Sequence, residues 1–210
     1  MPRGRFITLE GGEGTGKSTQ ALRLAERLRA LGRQVLTTRE PGGSDGAETL
    51  RGLLLQGGED RWSAVSETLL MYAARRDHLE KTIRPALARG AWVICDRFFD
   101  STRAYQGTGG GAPEALIDAM ERHVVGDDRP DLTLVLDLPV DVGLQRAGAR
   151  RALDRIEARD GGFHERLRAA FLEIAAADPR RCFVIDAAPT PDEVEASIWG
   201  AVQARLGGSA

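Results

Sequence analysis

The sequence predicts an α/β protein built on one five-stranded parallel sheet flanked by helices. Two observations lead to this class. Short apolar runs alternate with segments of helical periodicity along the chain, and these runs are nearly continuous instead of alternating with polar residues. Strands that are apolar on both sides must be covered on both sides, which places helices on each face of the sheet. No internal repeat or long linker divides the chain, so residues 1–210 are expected to form a single domain.

The elements follow one another in a regular order. A glycine cluster follows the first strand and leads into a helix with an apolar stripe expected at Leu22, Ala25, Leu28 and Leu31. Gly32 ends this helix, Pro85 is expected to end a long helix before the third strand, and Pro113 suits a first helical turn. Strands are expected at 5–10, 34–38, 91–96, 131–138 and 181–187. Helices are expected at 19–30, 46–56, 63–84, from Pro113, 140–151, 163–177 and 191–206.

Composition and charge argue against several classes of function. The chain has 29 basic and 31 acidic residues and a net charge of −2, which leaves no electrostatic footprint for a nucleic-acid polymer or an anionic membrane. The first residues lack the apolar core of a signal peptide, and no run approaches the length of a membrane span. Cys95 and Cys182 each lie in an apolar strand-like run, as buried reduced thiols do. We therefore expect a cytoplasmic protein.

The glycine cluster after the first strand matches the phosphate-binding loop, or P-loop, G-x-x-x-x-G-K-[ST]. Its glycines let backbone N–H groups turn toward an anionic phosphate at the start of a helix, where the helix dipole favours negative charge. Lys17, one of two lysines in the chain, would reach the terminal phosphates, and the Ser18 hydroxyl would bind Mg²⁺. The residues expected to hold ATP are Gly11, Gly12, Glu13, Gly14, Thr15, Gly16, Lys17, Ser18 and Thr19.

A P-loop alone is compatible with GTPases, larger ATPases, small-molecule kinases and regulatory binding modules. The chain contains no asparagine, so it lacks the Asn-Lys-x-Asp box by which Ras-type GTPases read guanine. Its 210 residues leave little room for the partner domains of a large ATPase. A compact phosphotransferase or a nucleotide-gated binding module remains.

Charged residues follow two of the predicted strands. Asp96 ends the run at 91–96 and could complete the Mg²⁺ shell with Ser18, while Asp137 is a competing candidate of the same form. Arg97 would enter the same cleft. Single charged residues in such places also serve as helix caps or surface ion pairs, and this alternative stays open.

Two groups of arginines are candidates for binding phosphate. The segment 146–159 contains Arg146, Arg150, Arg151, Arg155 and Arg159, at the spacings 146/150 and 151/155/159 of a helix. Like charges four residues apart repel each other, so an anionic phosphoryl group would stabilise them, although a solvated face is the alternative. Arg75 and Arg76 follow Met71 and Tyr72 by one turn, which could pair a ring surface with a phosphate clamp or could be core packing beside solvated charge.

Longer motifs resemble one family, the bacterial thymidylate kinases. They are FITLEGGEGTGKST, TTREPGG, LLMYAARRDH with IRPAL, VICDRFFDSTRAYQG, RPDLTLVLDLPVDVGLQRA and LDRIE, which together span most of the chain. The resemblance implies a P-loop NTPase fold with a LID segment at about 146–160, Mg²⁺ and ATP as the phosphoryl donor, dTMP as acceptor, and a homodimer. The chain would then phosphorylate dTMP to dTDP. A kinase for dUMP, UMP or CMP, and a binding module without turnover, remain the alternatives.

The resemblance also assigns roles by position. Glu13 would face the acceptor sugar, Arg75 the base, Arg97 the acceptor phosphate and Tyr105 the deoxyribose. The implied dTMP site comprises Glu13, Arg39, Pro41, Met71, Tyr72, Arg75, Arg97, Ser101, Thr102, Tyr105 and Gln106. The implied catalytic residues are Lys17, Arg97, Glu13, Arg146, Arg150, Arg151 and Arg155.

Two features place this sequence within the resemblance. The variable P-loop positions contain no arginine, which is typical of the branch with catalytic arginines in the LID. The family usually has a phenylalanine four residues before the arginine matched by Arg75, to stack on thymine, whereas Met71 stands there in this chain. A thioether can also pack on the face of a base.

Overall fold

The computed structural model describes residues 3–148 and 161–207. Its single sheet has five parallel strands in the order β2-β3-β1-β4-β5. The strands are β1 (Phe6–Glu10), β2 (Val35–Arg39), β3 (Trp92–Asp96), β4 (Leu132–Asp137) and β5 (Cys182–Asp186). The α/β class, the parallel sheet and all five predicted strands are confirmed, with strand ends that differ from the prediction by at most one residue.

Nine α-helices lie in the described ranges and cover the sheet. They are α1 (Lys17–Ala30), α2 (Asp45–Leu55), α3 (Ala64–His78), α4 (Arg84–Ala88), α5 (Phe99–Thr102), α6 (Glu114–Met120), α7 (Val140–Gly148), α8 (Gly161–Ala177) and α9 (Pro191–Leu206). A short 3₁₀ turn precedes α3 at Glu59–Arg61, and π-helical turns extend α3, α5 and α6 at Leu79–Ile83, Arg103–Thr108 and Glu121–Val125. Within these ranges, no helix is both long and apolar enough to cross a bilayer.

The two faces of the sheet are buried against different helices, as the period of two in a strand requires. Ile7 and Leu9 of β1 face a cluster with α1 and α9, whereas Phe6 faces the helical segment from α3 to α4. On that second face, Val135 of β4 packs with α8. Cys95 and Cys182 are buried and free, as predicted.

The apolar stripe predicted for α1 is wrong at both ends. Leu22 and Leu31 are 56% and 59% exposed. The buried positions are instead Ala21, Leu24, Ala25 and Leu28. The prediction is right in the middle of the helix, where Ala25 and Leu28 are buried, and the buried face includes Ala21 and Leu24 in place of the two terminal leucines.

The expected helix end at Pro85 is also wrong. Helical conformation continues from α3 through the π-helical turn Leu79–Ile83 into α4, which ends at Ala88. Pro85 occupies the first turn of α4. Proline is tolerated in a first turn because the N–H that it lacks would have no intrahelical partner there. The π-helical turn before it changes the hydrogen-bond spacing from that of α3.

Candidate active site

The P-loop connects the end of β1 to the start of α1 and wraps around one ammonium group. Lys17 Nζ donates to the carbonyl oxygens of Gly11 and Gly12, at 3.1 and 2.6 Å. Gly14 has a φ of +68°, and a Cβ there would lie 2.0 Å from the carbonyl oxygen of Gly143. Only glycine therefore allows the loop to pass this close to α7.

The electrostatics of this loop favour an anionic ligand. Burial, reinforced by the nearby Arg97 guanidinium, lowers the pKa of Lys17 from 10.5 to about 8. Glu13, Asp96 and Glu10 compensate only in part. A phosphate placed beside Lys17 would stabilise its charged form and raise this pKa again, so ligand binding and protonation of Lys17 are linked.

The structure distinguishes between the two aspartates that compete for a metal-binding role. The Ser18 hydroxyl, at the start of α1, donates to the Asp96 carboxylate at the end of β3. Asp137 instead forms a two-bond ion pair with Arg168 of α8, at 2.7 and 2.9 Å. Ser18 and Asp96 thus present adjacent oxygen ligands, which suit Mg²⁺, whereas both Asp137 oxygens are engaged.

Arg97 occupies a strained turn directly after β3. It has a φ of +71°, the left-handed region that residues with a Cβ rarely adopt. Its guanidinium donates to the Gly11 carbonyl at 2.9 Å and to the Glu13 carboxylate at 2.7 Å. The Tyr105 hydroxyl donates to the same Glu13 oxygen, and the Arg97 guanidinium lies 4.8 Å from the Tyr105 ring centroid. One ion pair therefore joins the P-loop to the turn after β3.

Glu10, the last residue of β1, accepts hydrogen bonds from the segment that follows this turn. Its two carboxyl oxygens accept the Phe98 N–H at 2.7 Å and the Ser101 hydroxyl at 2.5 Å. Burial and the nearby Asp100 raise the pKa of Glu10 to about 8, against opposing effects of Ser101 and Arg97. The residues that follow the strained turn are thus fixed to the central strand.

A cleft of about 280 Å³ opens between the P-loop, α2, α3 and the segment after β3. Every residue that the sequence assigned to the dTMP site lines it except Tyr72. The lining residues are Glu13, Gly14, Gly16, Lys17, Ser18, Arg39, Glu40, Pro41, Arg51, Leu55, Met71, Arg75, Asp96, Arg97, Phe98, Ser101, Thr102, Tyr105, Gln106 and Ala147. Polar groups surround the P-loop end, while Met71, Leu55 and Pro41 supply apolar surface elsewhere.

Tyr72 does not belong to the cleft wall. It is 1% exposed and packs in the core with Phe6 and Phe98. The Arg75 guanidinium lies over the Tyr72 ring, 4.8 Å from its centroid. Tyr72 therefore contacts Arg75 from the core and does not line the cleft. A residue one position after Met71 points about 100° away around the helix, which explains why only Met71 reaches the cleft.

Five lining residues were not named individually in the sequence-based assignment: Glu40, Arg51, Leu55, Phe98 and Ala147. Arg51 and Leu55 are four residues apart on α2 and share one face, a spacing that could have revealed them. Arg51 donates to the Pro41 carbonyl at 2.7 Å, and the Glu40–Pro41 peptide bond is cis. Glu40 and Phe98 lie inside motifs that pointed to the site, but their roles depend on contacts with distant segments.

The predicted LID arginines are only partly described. Arg146 lies on α7 and donates to the carbonyl oxygens of Ala187 and Ala188, at 3.0 and 3.2 Å. Its guanidinium thus contacts the segment between β5 and α9. Arg150, Arg151 and Arg155 fall outside the described residues. Thr19 and Ser18 are exposed on the first turn of α1, and of these two only Ser18 lines the cleft.

Comparisons with known proteins agree over nearly the whole chain. The family model for thymidylate kinase matches residues 9–198. A thymidylate kinase of Caulobacter vibrioides is 62% identical over 207 residues, covering 99% of this chain and 100% of the relative. One from a Bradyrhizobium species (strain BTAi1) is 56% identical, covering 97% and 92%. The crystal structure of the Ehrlichia chaffeensis thymidylate kinase superposes with a TM-score of 0.77 at 37% identity, covering 96% of this chain and 100% of that one. With the P-loop, the Asp96–Arg97 turn and the cleft between them, these matches show that the chain belongs to the thymidylate kinase family.

Proposed function

We propose that this protein transfers the γ-phosphoryl group of ATP to dTMP, yielding ADP and dTDP. The observation that carries the proposal is the direct contact between the two halves of the cleft. Arg97 donates to Gly11 of the P-loop at 2.9 Å, so a phosphate on Arg97 would lie beside phosphates held by the loop. Such proximity is what an in-line transfer between two bound nucleotides requires.

The reaction forms one bond and breaks one. An oxygen of the dTMP phosphate attacks the γ-phosphorus of ATP, and the bond from that phosphorus to the β,γ-bridging oxygen breaks with its electron pair remaining on ADP. Lys17 neutralises charge on the donor phosphates, and Arg97 orients the attacking phosphate. The protein therefore acts through positioning and charge neutralisation rather than through covalent catalysis.

Mg²⁺ fits the donor side of the cleft. The Ser18 hydroxyl and the Asp96 carboxylate are adjacent oxygen ligands at its mouth, and they are the residues that would hold the ion. When bound, Mg²⁺ supplies neutralisation of the phosphate oxygens of ATP.

The acceptor side combines three kinds of contact. Arg75 offers a buried guanidinium nitrogen, Nη1, that has no hydrogen-bond partner among the described residues, and we assign it to the pyrimidine ring. Met71 would pack against the face of that ring. Tyr105, held by Glu13, would lie against the deoxyribose and disfavour a 2′-hydroxyl group.

The proposal extends to the LID arginines. We expect replacement of Arg150 and Arg151 together by alanine to lower kcat more than ATP affinity, because these groups would neutralise charge that develops in the transition state. Steady-state kinetics alongside ATP titration measure both quantities. The exposed Arg166 on α8 provides a charge control as Arg166→Ala. Equal losses in kcat and affinity would make Arg150 and Arg151 ground-state binders.

A homodimer in the cytoplasm completes the proposal. Leu53 of α2 and Val65 and Leu69 of α3 are 39%, 41% and 46% exposed on neighbouring helices, which supports a shared apolar interface. The free thiols of Cys95 and Cys182 are consistent with a reducing compartment. Sedimentation equilibrium of the wild-type chain tests the assembly, and a monomer at micromolar concentration would contradict it.

The function itself is tested by ADP release from Mg²⁺ and ATP with a panel of acceptors: dTMP, dUMP, UMP, CMP, dCMP, AMP and GMP. We expect strong stimulation by dTMP, weaker stimulation by dUMP and little by the ribonucleotides, because Tyr105 would exclude a 2′-hydroxyl. Equal stimulation by another pyrimidine monophosphate would retain the kinase and revise the base specificity. Binding of ATP without stimulation by any acceptor would instead support a non-catalytic binding module.

A further inference from the structure

We infer that His78 is a positioning residue that sets the acceptor specificity of the cleft by holding Arg75 through Glu40. This inference rests on the proposed function, because it concerns how the same cleft reads the acceptor base. His78 lies at the end of α3 and is 0% exposed. It therefore acts through its neighbours and not by touching the acceptor.

Three of the five N–H groups of the Arg75 guanidinium are hydrogen-bonded. Its Nε donates to Glu40 at 2.7 Å, and its Nη2 donates to the Phe98 carbonyl and the Thr102 hydroxyl, each at 3.0 Å. Nη1 is buried and has no hydrogen-bond partner among the described residues. The Arg75 side chain to which it belongs lines the cleft. A buried donor without a partner is costly unless a ligand satisfies it. Nη1 thus marks where an acceptor oxygen binds.

Glu40 is the group that orients this guanidinium, and His78 orients Glu40. One carboxylate oxygen of Glu40 receives Arg75 Nε, and the other lies 3.0 Å from His78 Nδ1. Because a carboxylate only accepts hydrogen bonds, Nδ1 carries a proton. The second ring nitrogen, Nε2, lies 2.8 Å from the Thr38 hydroxyl. A relay of four side chains therefore runs from β2 to the cleft.

A glycine in the loop after β2 leaves room for the contact between His78 and Thr38. Gly43 has a φ of +87°, and a Cβ there would lie 2.3 Å from His78 Nε2 and 2.5 Å from the Thr38 hydroxyl oxygen. The Gly43 carbonyl also accepts a hydrogen bond from Thr82 at 2.7 Å. Glycine at this position lets the His78–Thr38 contact form, and the contact in turn limits the ways in which His78 can rotate.

The chemistry of Nη1 indicates what the relay selects. A guanidinium nitrogen can only donate, so it favours a ring carbonyl and disfavours a ring amine at the same place. Thymine and uracil carry a carbonyl where cytosine carries an amine. Because Glu40 fixes Nε and thereby the plane of the guanidinium, loss of the Glu40–His78 contact would let the plane turn and weaken this selection.

The test is the ratio of kcat/KM for dTMP to kcat/KM for dCMP in His78→Leu, which removes both ring contacts. We expect the ratio to fall roughly tenfold, the effect of weakening one well-placed hydrogen bond to substrate, while the KM for ATP stays unchanged. His78→Asn keeps a donor near the Nδ1 position and is expected to restore most of the ratio. A purely structural role would lower both acceptor activities together and leave the ratio unchanged.

A second pair of variants covers the case in which His78→Leu does not fold. Glu40→Gln cannot accept from both Arg75 and His78, so its ratio should also fall. Its matched control is Glu121→Gln. Glu121, in the π-helical turn after α6, is a buried carboxylate that pairs with Arg103 and Arg129. We expect the control to keep the wild-type ratio whatever its loss of stability.

The outcomes separate the inference from the proposed function. A wild-type protein that does not use dTMP would overturn the proposed function. A wild type that prefers dTMP, with an unchanged ratio in the His78→Leu and Glu40→Gln variants that fold, would overturn the role of His78 alone. Calorimetric titrations of dTMP and of dCMP without ATP give the ratio of the two dissociation constants, which is independent of turnover.

Discussion

Alanine in place of Lys17 is expected to reduce kcat about 100- to 1,000-fold, the effect of removing one preorganised donor from a site that stabilises developing charge. Lys17 is enclosed by the P-loop and 7% exposed, so no solvent cation can replace it. ADP release with saturating ATP and dTMP measures the loss. Lys81, the only other lysine in the chain, is exposed, and Lys81→Ala should retain wild-type rates. A loss below about tenfold in Lys17→Ala would remove the ammonium from the reaction.

The same variant should be at least as stable as the wild type when no nucleotide is present. Burial lowers the pKa of Lys17 to about 8, which means that the fold disfavours its charged form. Unfolded chains keep the ordinary pKa of about 10.4, so between these values the unfolded state binds more protons and wild-type stability rises with pH. Thermal unfolding at pH 7 should therefore show no fall in Tm for Lys17→Ala. A loss of activity would then not be a loss of folding.

Replacement of Arg97 by alanine is expected to raise the KM for dTMP and lower kcat, with kcat/KM reduced about 100- to 1,000-fold. The guanidinium would grip the acceptor phosphate, and without it the Glu13 carboxylate lies unshielded beside that phosphate. The dissociation constant for ATP should change little. Acceptor titrations at fixed ATP measure the effect, and an unchanged dependence on dTMP would exclude Arg97 from the site.

Arg97→Gly provides a matched second variant. Both substitutions remove the guanidinium, but only glycine relieves the left-handed backbone at φ +71°. We expect the two variants to lose acceptor affinity equally, while the glycine variant has the higher Tm. A difference in acceptor affinity between them would show that the backbone conformation, and not the guanidinium alone, contributes to binding. Arg76→Ala, at an exposed position paired with Glu80, is the charge control.

The fold could be predicted from local pattern because each strand is a short apolar run bounded by glycine, proline or charge. The pattern of apolar residues was insufficient to predict which face of a helix packs on the sheet. On α1, both Leu22 and Leu24 are apolar, and only the packing of the helix on the sheet decides that Leu24 is buried. At Pro85, the usual rule for helix ends failed because a π-helical turn precedes the proline.

The site divides in the same way. The P-loop and the Asp96–Arg97 turn could be found because their chemistry depends on neighbours in sequence. The contact between Ser18 and Asp96, which distinguished Asp96 from Asp137, spans 78 positions and leaves no trace in local spacing. The contact between Glu40 and His78 was missed for this reason, since their 38-residue separation hides a contact that only the folded chain forms.

The order of the strands also bears on how far apart the two nucleotides of the proposed reaction would be held. β1 and β3 are adjacent, with Leu9 opposite Asp96. The P-loop leaves β1 and the Asp96–Arg97 turn leaves β3 at the same edge, and paired strands lie about 4.8 Å apart. In the proposed reaction, the hydrogen bonds between β1 and β3 would therefore set the separation of the reacting groups. A rearrangement of the side chains and helices around the cleft would then leave the spacing of donor and acceptor unchanged.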